Sequence, residues 1–202
     1  MDTRQKILDK ALEMFNERGI EYVGLRELAA ALGMRVGNVT YYFATKDELV
    51  FQIAQLLTKA NSEWITEKDA LTMLDFLGSL REVYKNHVRF RGILLSIVHL
   101  VKQNPKMAAA FLQSQQVRRA GLGSNLQMLA RDGFLEIADE ADLKLLLSGI
   151  SIISRFWISE STINNSQLSE TDEIRKALML VSKMLVPYTT AAGKREIETF
   201  FE

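Results

Sequence analysis

The chain has 202 residues, 48% of them hydrophobic, and its 25 lysines and arginines balance 25 aspartates and glutamates. That length and apolar content allow a substantial core, either as one large domain or as a small domain joined to a larger one. With no cysteine, disulfides and thiolate chemistry are excluded, and two prolines, few Gly-Ser clusters and many helix formers favour an all-α protein over a sheet protein.

In chain order, the first predicted helix carries Ile7, Leu8, Ala11, Leu12 and Phe15 on one face and ends near Arg18-Gly19. This N-terminus is charged and amphipathic, so no cleaved secretory signal is expected; a soluble protein in the cytoplasm, with which the absence of cysteine is compatible, is the expectation. Residues 25–49 read as two short helices joined by a glycine turn and followed by a capped third. Leu25, Leu28, Ala29 and Leu32 form the buried stripe of the first, and Gly33 supplies the left-handed residue on which it ends. Counting about 100° per residue from Val36, the second points Val39 and Phe43 to one side and Gly37, Asn38 and Tyr41 to the other. Thr45 and Glu48 form a Ser/Thr-x-x-Glu capping box, so the third runs from Lys46 to about Ala60.

Beyond residue 60 the helices lengthen and no proline- or glycine-rich linker intervenes, which favours a rigid connection. Thr66 with Asp69 predicts a capped helix running to about Asn86, and a single helix fits about 88–102. Asn104-Pro105 is a cap followed by a first-turn proline, opening a helix that ends by Gly133. Segments 139–160 and 170–186 complete the long helices, with a short one over about 194–200. The richest apolar run, 92–101, is too short to span a bilayer, so no membrane is expected as a partner.

The run Gly37-Asn38-Val39-Thr40-Tyr41-Tyr42-Phe43, followed by Lys46-Asp47-Glu48-Leu49, resembles the recognition helix of the TetR family of bacterial regulators. Phe15, Gly19 and Leu25-Arg26-Glu27-Leu28-Ala29 also fall where that family has a first-helix Phe, a glycine turn and a second helix. The resemblance covers the first 50 residues or so. Three departures stand out: Val23-Gly24 replace a capping Thr, Arg35 replaces a Ser, and Thr40 replaces a Tyr. The resemblance implies a helix-turn-helix DNA-binding domain over 1–47 and a helical ligand-binding and dimerisation domain over 48–202. It also implies a homodimeric repressor that binds a palindromic operator and releases it to a small-molecule effector.

The DNA-facing candidates are Arg26, Arg35, Gly37, Asn38, Thr40, Tyr41, Tyr42 and Lys46. Arg can pair bidentately with guanine or hold a phosphate, Asn matches adenine, and Thr can touch a thymine methyl. Tyr41 faces outward toward sugar or a base edge, whereas Tyr42 sits beside the core face and aims its hydroxyl at a phosphate. Gly37 weakens its helix by up to about 1 kcal/mol relative to Ala, and close approach to the DNA backbone gives a reason for it. Charge resists this reading, because residues 1–60 hold eight basic and eight acidic side chains. Between Gly24 and Lys46, however, three basic residues face one acidic, a local positive patch.

For an effector pocket the candidates are Phe76, Tyr84, His87, His99, Phe111, Arg155 and Trp157. The two last long helices are apolar over a wide arc, so Leu146, Ile150 and Ile153 with Leu178, Val181 and Leu185 are assigned to the dimer interface. No cofactor and no enzyme are expected. Cysteine is absent, the two histidines are 12 apart, and Gly193-Lys194 lacks the earlier glycine of a phosphate loop. The alternative is a small-molecule-binding or interaction protein whose N-terminal motif no longer reads DNA.

Overall fold

The structure is a computed structural model and describes residues 2–62, 69–164 and 167–202. Among the described residues the chain is all-α, and its extended pairing is confined to an isolated bridge between Leu135 and Thr189. None of the described helices is long and apolar enough to cross a membrane. The chain divides into two compact units, Met1–Ala60 with Asn86–Leu112, and Asn61–Lys85 with Gln113–Glu202.

In the first unit, α1 (Thr3–Arg18) is capped by the Asp2 carboxylate and buries Ile7, Leu8, Ala11, Met14 and Phe15. Gly19 ends it at φ 88, a left-handed value suited to glycine. A 3-10 turn, Ile20–Tyr22, leads to α2 (Leu25–Ala31), the Gly33 turn at φ 64, α3 (Val36–Tyr42) and α4 (Lys46–Ser62). Leu28, Ala29, Val39 and Phe43 are buried, so the short helices are held by their apolar faces. Thr45 caps α4 by accepting from Glu48 N at 3.2 Å, while the Glu48 carboxylate reaches past Thr45 to the Ala44 N–H at 3.2 Å.

The expected single helix over 88–102 is broken. Helix α5 (Met73–Arg89) ends at Phe90, and α6 (Arg91–Leu95) and α7 (Ile97–Gln103) follow, parted at Ser96. The physical reason for the first break lies on α1. The Asn16 side chain donates to Arg89 O at 2.8 Å and accepts from Gly92 N at 2.9 Å, taking two groups that a continuous helix would pair within itself. Gly92 also lies so close to α1 that a Cβ there would sit 2.6 Å from Phe15 O.

The second unit opens later than expected. Thr66 lies outside the described residues, and Asp69 precedes the helix, which starts at Met73. Its cap is Thr72, whose hydroxyl accepts from Asp75 N at 3.0 Å, while Asp75 accepts from Thr72 N at 3.3 Å. Asn104 caps α8 (Pro105–Arg131), which ends before Gly133 at φ 85. Asp139 caps α9 (Glu140–Ile163), Ser169 caps α10 (Glu170–Leu185), and Thr190 caps α11 (Ala191–Phe201). Thr190 also donates to Gly133 O at 2.8 Å, and Gly193 packs where a Cβ would collide with Phe134 O. That docks the start of α11 on the turn after α8.

One core runs through this unit, with Phe76 and Leu77 of α5, Leu126 and Leu129 of α8, Leu146 and Ile150 of α9, and Val181 and Leu185 of α10. The residues assigned from the sequence to the dimer interface use much of their surface within this chain. Leu146, Ile150, Leu178, Val181 and Leu185 are all buried inside the single chain, and Ile153 packs against the same core. The large apolar residues left exposed on α9 and α10 are Leu145, Ile152, Phe156, Ile163, Met179 and Leu180.

Candidate functional site

The glycine turn sets α3 against α2, with Val39 and Phe43 as its buried anchors. The residues between the anchors therefore point outward. Tyr41 is 83% exposed, Arg26, Arg35, Gly37 and Asn38 are exposed, and Thr40, Tyr42 and Lys46 are half-buried. All eight sequence candidates thus retain accessible surface within one unit. A Cβ on Gly37 would meet nothing within 4 Å, so no contact inside the chain demands glycine there.

Local bonds decide what each side chain can offer. The Thr40 hydroxyl lies 3.3 Å from both Val36 O and Gly37 O, so its proton is used within the helix and its methyl and lone pairs remain. Tyr42 meets Tyr41 edge-on, with ring centroids 5.1 Å apart. Lys46 Nζ donates to Glu21 O at 3.3 Å, which fixes the ammonium beside the 3-10 turn while leaving it further protons to donate. Arg26 and Arg35 pair with no carboxylate among the described residues.

Sequence reasoning missed a bracket at the start of α2. Glu27 accepts from Gly24 N at 3.0 Å and from Arg18 Nη2 at 2.9 Å. The Gly24 N–H bond is the reciprocal half of a capping box; the other half, a threonine hydroxyl accepting from the Glu27 N–H, is missing. The Arg18 hydrogen bond, then the Gly24 N–H and the Arg18 charge, hold the Glu27 carboxyl below its ordinary value. The acid between Gly24 and Lys46 is therefore already engaged by a cation. A Glu three residues after Gly24 was the available signal.

The pocket candidates are divided between the two units. Phe76, Tyr84, Arg155 and Trp157 belong to the second; His87, His99 and Phe111 belong to the first. Phe76 is a core residue and His99 is exposed. Tyr84 is fully buried, shares a hydrogen bond of 2.9 Å with the Ser154 hydroxyl, and lies against Trp157 at 5.3 Å between ring centroids. Burial pushes its hydroxyl well above the usual tyrosine value. A separate surface groove of about 450 Å³ runs along α8 and α9, lined by Gln116, Arg119, Gly123, Gln127, Leu143 and Leu147. None of the residues singled out from the sequence lines it.

Comparison with known proteins agrees with this architecture. A family model described as bacterial regulatory proteins, tetR family, matches residues 7–53, and one described as a TetR bacterial transcriptional repressor matches residues 52–197. The HTH-type transcriptional regulator AcrR of Shigella flexneri is 35% identical over 82 residues, which span 41% of this chain and 38% of that protein. A TetR-family transcriptional regulator from Marinobacter aquaeolei VT8 superposes with a TM-score of 0.90 at 22% identity, covering 99% of this chain and 98% of that one. SmeT, the repressor of the Stenotrophomonas maltophilia multidrug efflux pump SmeDEF, gives a TM-score of 0.70 at 17% identity over 96% and 93% of the two chains. A complex of SmeT with triclosan gives 0.68 at 15% identity, over 96% and 94%.

Proposed function

Because the chain belongs to the TetR family of bacterial transcriptional regulators, we propose that it is a cytoplasmic, ligand-responsive repressor that binds a palindromic operator as a homodimer. The observation that carries this reading is the face of α3, which turns Val39 and Phe43 inward and presents Asn38 and Tyr41, flanked by Arg35 and Arg26. Residues 1–47 form the DNA reader. Asn38 and Tyr41 meet base edges, Thr40 offers its methyl to thymine, Arg26, Tyr42 and Lys46 hold phosphates, and Arg35 takes a guanine or a phosphate at the helix start. In a dimer two such helices enter successive major grooves about 34–36 Å apart.

Residues 48–202 bind the effector and the second copy. SmeT is known in complex with triclosan, a small organic compound; by analogy the effector here is small and amphipathic. It binds better to a conformation whose readers are wrongly spaced, so that occupancy and DNA binding oppose one another. Selection of bound sequences from random duplex DNA tests the reading directly. Enrichment of a two-fold-symmetric site with half-sites one helical turn apart is expected, and recovery of no enriched sequence would reject it.

A further inference from the structure

Val39 and Phe43 are the buried anchors of α3, and Gly37 lies on the opposite, open side of the helix. Counting about 100° per residue from Val36, Tyr41 stands one turn ahead of Gly37, Thr40 lies on its flank and Val36 precedes it in the chain. Residues three and four apart stand side by side on a helix surface, so Thr40 and Tyr41 border the place where Gly37 has no side chain. The helix surface therefore has a gap the size of one Cβ. Nothing inside the chain comes within 4 Å of where that Cβ would be, so the gap opens to solvent.

The border of this gap is apolar. Val36 is a β-branched aliphatic residue left 37% exposed. The Thr40 hydroxyl turns back toward Val36 O and Gly37 O, both at 3.3 Å, which spends its proton and leaves its methyl free. Tyr41 is 83% exposed, and the half-buried Tyr42 meets its ring edge-on, with centroids 5.1 Å apart. Glycine is less favourable than alanine within a helix, and no packing in the chain requires it at this place, so the gap has its use outside the chain. In the major groove thymine presents a C5-methyl beside its O4, whereas cytosine presents a hydrogen at C5 beside its amino group. A methyl matches a missing Cβ in size. Polar base edges, by contrast, would give up water in the gap, where Val36 and Thr40 bring no hydrogen-bond donor to replace it.

We propose that Val36, Gly37, Thr40 and Tyr41 form a methyl-sized notch that reads the C5-methyl of a thymine in each operator half-site, and that Val36 is a specificity-determining residue. The notch rests on the reading of α3 as the DNA reader and assigns that reader a base. The thymine methyl enters where the Gly37 Cβ is missing, against the Val36 isopropyl group and the Thr40 methyl on one side and the Tyr41 ring on the other.

The test uses the full-length protein and duplexes carrying the operator enriched from random DNA. Each thymine is replaced in turn, in both half-sites, by deoxyuridine, which removes the C5-methyl and keeps the base pair, and binding is read by fluorescence anisotropy. For at least one thymine the affinity should fall by about fourfold per half-site, the worth of burying one methyl group. Val36→Thr and Thr40→Ser each take a methyl from the border and should narrow that difference. Gly37→Ala carries a methyl into the notch, so it should bind the thymine duplex more weakly than wild type does and bind the deoxyuridine duplex at least as tightly as the thymine one. A loss of folding cannot produce that reversal, because it would weaken both duplexes alike. An enriched half-site without thymine, deoxyuridine without effect at every thymine, or Gly37→Ala weakening both duplexes by the same factor would each overturn the notch. The last of these would return Gly37 to close approach of the DNA backbone. All three leave the DNA reader standing, since selective binding is present in each. Recovery of no enriched sequence rejects the reader and the notch with it.

Discussion

Tyr41 exposes most of its ring and Arg26 pairs with no acid among the described residues, so neither contributes much to folding. Replacing both with alanine should leave the melting temperature within a degree or two, since exposed substitutions away from special features cost less than about 0.5 kcal/mol. Operator affinity should fall by at least about tenfold in fluorescence anisotropy, because the change removes both the base-edge contact assigned to Tyr41, worth roughly 1–3 kcal/mol, and the phosphate contact assigned to Arg26. Full-strength selective binding by the double variant would refute the roles given to these two residues. Glu27 provides a pH-dependent counterpart. Its carboxyl is held below the ordinary value when folded, so its contribution to stability is present above the unfolded value and is lost as the pH falls through the folded one. The melting difference between wild type and Glu27→Gln should therefore be present at neutral pH and shrink on acidification; a difference that grows toward low pH would contradict the bracket. Which residues of α3 face in or out was legible from helical spacing alone. What Thr40, Lys46 and Glu27 bond to was not, because those partners depend on rotamers and on backbone carbonyls several residues away.

Helix starts marked by a side-chain cap followed by a proline or an acid, as at Asn104-Pro105 and Asp139, were legible in the sequence. The break between α5 and α6 was not, because its cause is Asn16 on another helix, more than 70 residues away in the chain. Local pattern cannot encode a side chain that arrives from elsewhere. Gly92 is the other half of that packing. Gly92→Ala would place a methyl 2.6 Å from the Phe15 carbonyl, which is backbone and cannot rotate away. A loss of about 1–3 kcal/mol is expected in denaturant unfolding, as for other overpacked sites. By comparison, Gly37→Ala meets no steric obstacle inside the chain, so it should be neutral or stabilising while impairing DNA binding. A Gly92→Ala protein as stable as wild type would show that α1 and α6 do not lie as close as described.

At the scale of the molecule, the apolar breadth of α9 and α10 was visible in the sequence, but its division between core and partner was not. Both roles need the same residue types, and only packing decides which side of a helix is already used. The face left over runs through Leu145, Ile152 and Phe156, which recur at helical spacing on one side of α9, with Leu145 59% and Ile152 57% exposed. A second copy of this chain would cover that stripe, together with Met179 and Leu180 of α10. Leu145→Glu with Ile152→Glu should convert a dimer to monomers in analytical ultracentrifugation without lowering helix content. It should also weaken binding to the whole operator far more than binding to a single half-site. An undiminished dimer in that variant would place the interface elsewhere.

The inward anchors of α3 have a consequence for how such a protein can change over generations. Val39 and Phe43 hold the helix in place, while Asn38 and Tyr41 lie outside the core and Arg35 makes no ion pair among the described residues. Residues at 35, 38 and 41 can therefore be exchanged with little loss of foldability. A duplicated copy of the gene could acquire a new operator by drift at these three positions while its core and its effector chemistry stay as they are.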